Sequence, residues 1–163
     1  MIIPLKIANT LEYILKVILF ILIILLVFLV FVQIILRYFF STGIAWSEEM
    51  SRFLFIWSTF LAIAVVVKQK ANIAFTFLSS KNWIFKPFFH SIYYLASFAF
   101  FSIIFYYGII YTIFGHGCRS SLLPVRMSAF FASVPTCAIL SIFFLILQLS
   151  DEIINRGVKD KEQ

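Results

Sequence analysis

Charged side chains are scarce in this sequence. Asp, Glu, Lys and Arg make up 12% of its 163 residues, whereas 63% are hydrophobic. A soluble globular domain carries about a quarter charged residues, so the composition excludes such a domain as the bulk of the chain. Basic residues outnumber acidic ones by 13 to 7. Because no soluble basic face is available to hold nucleic acid, we predict no nucleic-acid partner.

Cysteine is also scarce. The two cysteines, Cys118 and Cys137, lie 19 residues apart, a spacing that matches neither a redox motif nor a metal-binding pair. His116 lies near Cys118, but two ligands do not make a metal site. The sequence therefore predicts no metal and no cofactor.

Long apolar runs dominate the sequence. A helix needs roughly 20 apolar residues to cross a bilayer. Three runs satisfy this directly, and a fourth does so if its helix begins at Ser47, which would then be its N-cap; a re-entrant or surface helix is the alternative for that run. We predict an all-α integral membrane protein, a single membrane domain over 1–163. Its transmembrane helices are predicted at 17–36, 47–67, 90–114 and 127–149.

Two further segments are predicted to lie in the membrane interface on the cytoplasmic face. Apolar residues repeat at helical spacing over 3–16, where Glu12 is positioned to pair with Lys16. Residues 71–89 are too polar to span and too apolar for a free loop. Lys16 and Trp83 are the expected interfacial anchors, and 150–163 is the expected cytoplasmic tail.

The distribution of Lys and Arg predicts the orientation. Nine of these residues fall in the N-terminal segment, the second connection and the tail, which share one side of the membrane, and four fall on the other side. Because cytoplasmic loops carry the excess of positive charge, both termini are predicted to be cytoplasmic.

The segment between the first two spans is the most informative. Its polar and aromatic residues are Arg37, Trp46, Glu48, Glu49, Arg52 and, one turn further, Trp57. Acids at a helix N-terminus and interfacial Trp are ordinary ways to begin a membrane helix. However, a charge deep in a bilayer costs on the order of 3 kcal/mol, and such groups usually pair within protein. Three charges in five residues therefore indicate a protein partner.

This segment resembles the signature of one family. It is similar to the small membrane subunit (DctQ-like, or Q subunit) of tripartite ATP-independent periplasmic (TRAP) transporters. Many relatives carry a histidine after the second span, where this chain has Lys70-Ala71-Asn72-Ile73. The residues that carry the resemblance are Arg37-Tyr38-Phe39-Phe40, Gly43-Ile44-Ala45-Trp46-Ser47-Glu48-Glu49 and Arg52-Phe53-Leu54-Phe55-Ile56-Trp57, with support from Leu123-Pro124 and Val134-Pro135.

The resemblance implies a function in transport and not an enzyme. In TRAP systems a periplasmic binding protein captures an organic acid, such as a C4-dicarboxylate or a sialic acid, and a large membrane subunit imports it with sodium. The small subunit packs beside the large one as a scaffold in the bacterial inner membrane. The implied partners are the large (M) subunit, the binding protein (P subunit) and membrane lipids.

The resemblance also implies roles for individual residues, which we state as expectations. The large subunit is expected to contact Arg37, Trp46, Glu48, Glu49, Arg52 and Trp57. Arg119 and Arg126, in the connection before the fourth span, are candidates for touching the binding protein, and solvated loop charges are the alternative reading of both. Pro135 is expected to kink the fourth helix.

Two other classes of protein stay open. A homodimeric, proton-coupled exporter would use Glu48 or Glu49 as its coupling carboxylate, although both acids lie at a helix start and not mid-span. A membrane thiol oxidase would need paired cysteines in the outer connections, where this chain has one. The absence of spans broken by Gly/Pro pairs, which build midplane ion sites, also argues against a self-sufficient carrier.

Overall fold

The computed structural model describes the backbone of residues 2–40, 45–69, 86–120 and 123–159, and the side chains of 8–39, 46–69, 92–120 and 123–150. Within these ranges the chain is almost entirely helical. The helices are α1 (Ile2–Phe40), α2 (Ala45–Lys68), α3 (Lys86–Gly115), α4 (Met127–Phe131) and α5 (Ser133–Lys159).

In the part of the chain that the structure describes, four segments are long and apolar enough to cross a membrane. They are Ala8–Phe39, Trp46–Lys68, Ile92–Gly115 and Met127–Ser150. The last of these contains α4 and most of α5. The predicted all-α membrane fold with four long apolar helices is therefore confirmed.

Helix α1 differs from the prediction in its extent. The predicted interfacial helix at 3–16 and the span at 17–36 form one uninterrupted helix of 39 residues. At 1.5 Å per residue it is about 58 Å long, nearly twice the roughly 30 Å of hydrocarbon. The helix continues because no glycine or proline separates the two segments. The placement of 3–16 in the interface stays a prediction.

The starts of α2 and α3 also differ from the prediction. Helix α2 begins at Ala45, so Ser47 is its third residue, 3% exposed, and the predicted N-cap is wrong. Helix α3 begins at Lys86, inside the segment predicted over 71–89. Residues 70–85, which include the predicted anchor Trp83, lie outside the described part of the chain.

The fourth span is interrupted where the sequence predicts a kink. Helix α4 ends at Phe131, and α5 begins two residues later. Pro135 has no N–H to donate to the carbonyl of Phe131, and its ring crowds that carbonyl, so the break lies one turn before the proline. Helix α5 then continues to Lys159, well into the predicted tail at 150–163.

The helices pack in the order α1, α2, α5 and α3, and α4 packs mainly on α3. The core lies between α2 and α5, where Ala64, Ala138, Ser141 and Phe144 are fully buried. By contrast, only 6% of the α1 span is buried. Most of α1 is therefore available to lipid or to a protein partner.

Candidate functional site

Among the described residues, the charged side chains lie at the two ends of the bundle. We call the end with Arg37, Glu48 and the loop over 116–126 the outer end, and the end with Lys16 and Lys68 the inner end. Polar groups that lie within an apolar bundle are the natural candidates for recognition, because they are costly unless they are paired.

An exposed ion pair lies at the start of α2. Nη2 of Arg52 is 3.2 Å from Oε1 of Glu48, and the two side chains are 64% and 73% exposed. The pairing follows from helical geometry, because residues four apart lie on one face. Both neighbouring acids lie within reach of Arg52 by spacing, and Glu48 forms an ion pair with it.

Glu49 has a different position. Its Oε2 accepts a hydrogen bond of 3.0 Å from the backbone N–H of Leu123, in the loop before α4. This contact joins the start of α2 to the outer loop. The structure therefore separates the two neighbouring acids, with Glu48 exposed and Glu49 engaged inside the chain.

Trp57 also makes contacts within the bundle. Its indole N–H donates a hydrogen bond of 3.1 Å to the carbonyl of Ala129 in α4. Its ring lies 6.1 Å from that of Phe53, which meets the ring of Phe130 edge-on at 5.0 Å. The indole N–H, expected to face the large subunit, thus has a partner in this chain.

Substitution of two tryptophans, one at a time, tests this hydrogen bond. Trp57→Phe removes the donor and leaves the Ala129 carbonyl without it, so we expect a loss of about 1 kcal/mol of stability, or about 2–4 °C in melting temperature. The control is Trp46→Phe, since Trp46 is 50% exposed at the start of α2. Thermal unfolding in detergent measures both, and equal shifts would contradict the assignment.

Arg37 and Trp46 complete the outer end. Both are exposed, at the last turn of α1 and the first turn of α2. Of the six residues expected at a partner interface, four are exposed here, and Glu49 and Trp57 make contacts within the chain. We call the four exposed residues the outer polar patch: Arg37, Trp46, Glu48 and Arg52.

The loop over 116–126 brings two arginines together. Ser120 N–H donates to the carbonyl of Val125 at 3.1 Å, and Met127 N–H donates to that of Cys118 at 3.0 Å. Arg119 and Arg126 are therefore opposite each other on antiparallel arms of the loop. No turn motif in the sequence indicated this pairing.

The described side chains of this loop, at 116–120 and 123–126, are mostly exposed. Arg119 is open to solvent, and Nη1 of Arg126 lies 3.1 Å from Nδ1 of His116. Cys118 is exposed and Cys137 is buried, both as free thiols. Among the described residues, no group of three or more His, Cys, Asp or Glu is positioned to hold a metal ion.

The inner end holds a second polar cluster. Glu12 lies 2.7 Å from Lys16 on its own helix and 3.4 Å from Lys68 of α2. Lys68 also donates to Asn9 at 3.1 Å, and Gln69 donates to Glu12 at 3.1 Å. The local pair of Glu12 with Lys16 was predicted and is confirmed. The contacts from α2 join residues almost 60 positions apart, beyond the reach of a spacing argument.

Comparison with known proteins gives the family of this chain. The sequence model of one family, described as tripartite ATP-independent periplasmic transporters, DctQ component, matches residues 26–154. The chain belongs to this family. The match includes the second to fourth spans, all four residues of the outer polar patch and the 116–126 loop. The predicted family assignment is confirmed, and the protein is a multi-pass membrane component of the TRAP small permease type.

Two relatives from Haemophilus influenzae, each described as a TRAP transporter small permease protein, resemble parts of the chain. One is 38% identical over 50 residues, which is 31% of each chain. The other is 39% identical over 69 residues, which is 42% of each chain. The chain therefore spans less than half the length of these two curated relatives.

Proposed function

We propose that this chain is the small scaffold subunit of a sodium-coupled TRAP transporter that imports an organic acid delivered by a periplasmic binding protein. It packs against the large membrane subunit and stabilises it. Its substrate belongs to the C4-dicarboxylate or sialic acid class of organic acids. The observation that carries the proposal is the outer polar patch, in which a charged pair on an apolar helix is exposed and unshielded by its own bundle.

The energetics of charged groups in membranes support this role. Arg52 lies in the second span, Trp46–Lys68, and a charged side chain in a span usually faces a protein partner or a water-filled path. Glu48 is its partner within this chain, yet both side chains remain mostly exposed. A large subunit that covers the pair would surround it with further polar groups.

The hydrogen bonds at the break in the fourth span support a scaffold over a self-sufficient carrier. In transporters, broken helices supply free carbonyls to ions near the midplane. Here the break lies toward the outer end, and the carbonyls of Ala129, Phe130 and Ala132 accept from Trp57, Ser133 and Thr136. These carbonyls are already used within the chain.

The orientation of the chain in the membrane is part of the same proposal. We place the chain in the bacterial inner membrane with both termini in the cytoplasm, because nine of the thirteen basic residues fall on the side of the termini. The outer end then faces the periplasm. There, Arg119 and Arg126 lie side by side on the loop, where they would contact the acidic surface of a binding protein.

Co-purification with the large subunit tests the scaffold role. We expect Arg52→Ala to weaken the complex about tenfold, as judged by the yield of large subunit captured from mild detergent. Glu49→Ala is expected to lower that yield as well, because it releases the outer loop from α2. Arg119→Ala is the control, because Arg119 is exposed on the outer loop and is assigned to the binding protein, so this variant should retain the large subunit.

Uptake measurements complete this test. In reconstituted vesicles, Arg52→Ala and Glu49→Ala should reduce sodium-driven uptake, and this chain alone should carry no solute. Unchanged uptake in both variants would reject the interface. Proton-driven transport by this chain alone would instead favour the homodimeric exporter.

A further inference from the structure

A long groove opens along the inner half of the bundle. Helix α2 forms its floor, from Phe55 to Val67, and α1 and α3 form its walls through Ile23 and Phe100. The groove has a volume of about 850 Å³ and an almost wholly apolar lining. Helices α1 and α3 do not pack on each other along their described lengths, so the groove is open between them.

We propose that this groove binds one acyl chain of an anionic phospholipid from the inner leaflet, with the phosphate at Lys16. Three observations carry the proposal: the length of the groove, its apolar lining and the charge at its inner mouth. It does not depend on the identity of the transported solute or on the large subunit.

The length of the groove matches one leaflet. The twelve residue steps from Phe55 to Val67 correspond to about 18 Å of helix. Half of the bilayer hydrocarbon is about 15 Å. The groove ends beside Lys68, the last residue of α2, so it begins at the inner interface and reaches close to the midplane.

The lining of the groove suits an acyl chain. Its residues are almost wholly apolar. The two hydroxyls in the floor, on Ser58 and Thr59, both donate to the carbonyl of Phe55 on their own helix. They therefore offer no free donor to a polar partner.

The charge at the inner mouth favours an anionic headgroup. Lys16 lies seven residues before Ile23, on the stripe of α1 that borders the groove. It is 49% exposed. Glu12 faces Lys16 and Lys68 and offsets one of their charges, which leaves a net charge of +1 on these three side chains. An ammonium at the leaflet surface attracts a lipid phosphate and leaves the acyl chain to continue into the groove.

A photoreactive lipid tests the site on the full chain in membranes. The probe is phosphatidylglycerol with a diazirine on its acyl chain, and phosphatidylcholine with the same acyl chains is the headgroup control. We expect labelling from phosphatidylglycerol to concentrate on the groove residues of α2 and α3. Labelling spread evenly over exposed positions, such as Phe31 of α1 and Leu95 of α3, would overturn the proposal.

Matched variants make the test specific. Ala96→Phe fills the groove, whereas Ala99→Phe adds the same ring at an exposed position of α3 that does not line the groove. We expect several-fold less groove labelling in the first variant and no change in the second, with melting temperatures checked for both. Equal labelling in the two variants would overturn the site.

The headgroup assignment has its own variants. Lys16→Gln should lower labelling by phosphatidylglycerol about fivefold, the factor that one Lys contributes toward an anionic membrane, and Lys16→Arg should restore it. An undiminished preference for phosphatidylglycerol in Lys16→Gln would overturn the assignment. Groove residues left unlabelled by both lipids would place a protein helix there instead.

Discussion

Gly108→Leu is expected to destabilise the bundle strongly, by about 3 kcal/mol. A Cβ atom at this position of α3 would lie 3.1 Å from Cδ and N of Pro135 and 3.1 Å from Cγ1 of Val134. Two of those atoms belong to the proline ring and the backbone, which cannot rotate away. The α3–α5 contact depends on this close approach, as is common where small residues meet between membrane helices.

The measurement is thermal unfolding of the full chain in detergent, where we expect the melting temperature of Gly108→Leu to fall by about 10 °C. Gly117→Leu is the matched control, because a Cβ there meets only the carbonyl oxygen of Phe114, at 3.9 Å. The same melting temperature for both variants would show that α3 and α5 can separate without cost.

The sequence predicts the existence of the helices better than their ends. Apolar runs of spanning length identify four spans because the bilayer sets a minimum length. The sequence gives only weak signals of where each helix begins and ends. Helix α1 runs through the predicted boundary at residue 16, and α5 runs past residue 149, because the residues at each boundary are compatible with helix and none of them is glycine or proline.

The contacts of the candidate site also divide into those that helical spacing predicts and those that it does not. The pairs of Glu12 with Lys16 and Glu48 with Arg52 follow from the 3.6-residue period and are predictable. The bonds of Glu49 to Leu123 and of Trp57 to Ala129 join residues 74 and 72 positions apart. They depend on how each helix is rotated in the bundle, which spacing along one chain does not determine. For that reason two residues predicted at a partner interface make contacts inside the chain.

Gln148 shows the same kind of distant contact. It lies on α5, is 7% exposed, and its Nε2 donates to the carbonyls of Val67 at 2.8 Å and Lys68 at 3.0 Å. These carbonyls belong to the last turn of α2, where a helix leaves its carbonyls without intrahelical partners. The side chain of one helix thus caps another, at the inner end of the groove.

Gln148→Glu is therefore expected to be severely destabilising, although it changes the side-chain volume very little. The amide that donates to two carbonyls becomes a carboxylate that repels them, and a buried charge without a partner costs about 3–5 kcal/mol. Among the described residues, Oε1 of Gln148 has no hydrogen-bond partner, so no neighbouring donor is in place to stabilise the new charge.

Gln148→Leu separates the two effects. It removes both hydrogen bonds without adding a charge, and it also removes the unpartnered Oε1, so its cost should be smaller, about 1–3 kcal/mol. Melting temperatures in detergent should fall in the order wild type, Gln148→Leu, Gln148→Glu. If Gln148→Glu melted no lower than Gln148→Leu, the new carboxyl would have to be protonated, or reach water or a cation, and it would not be a buried charge without a partner.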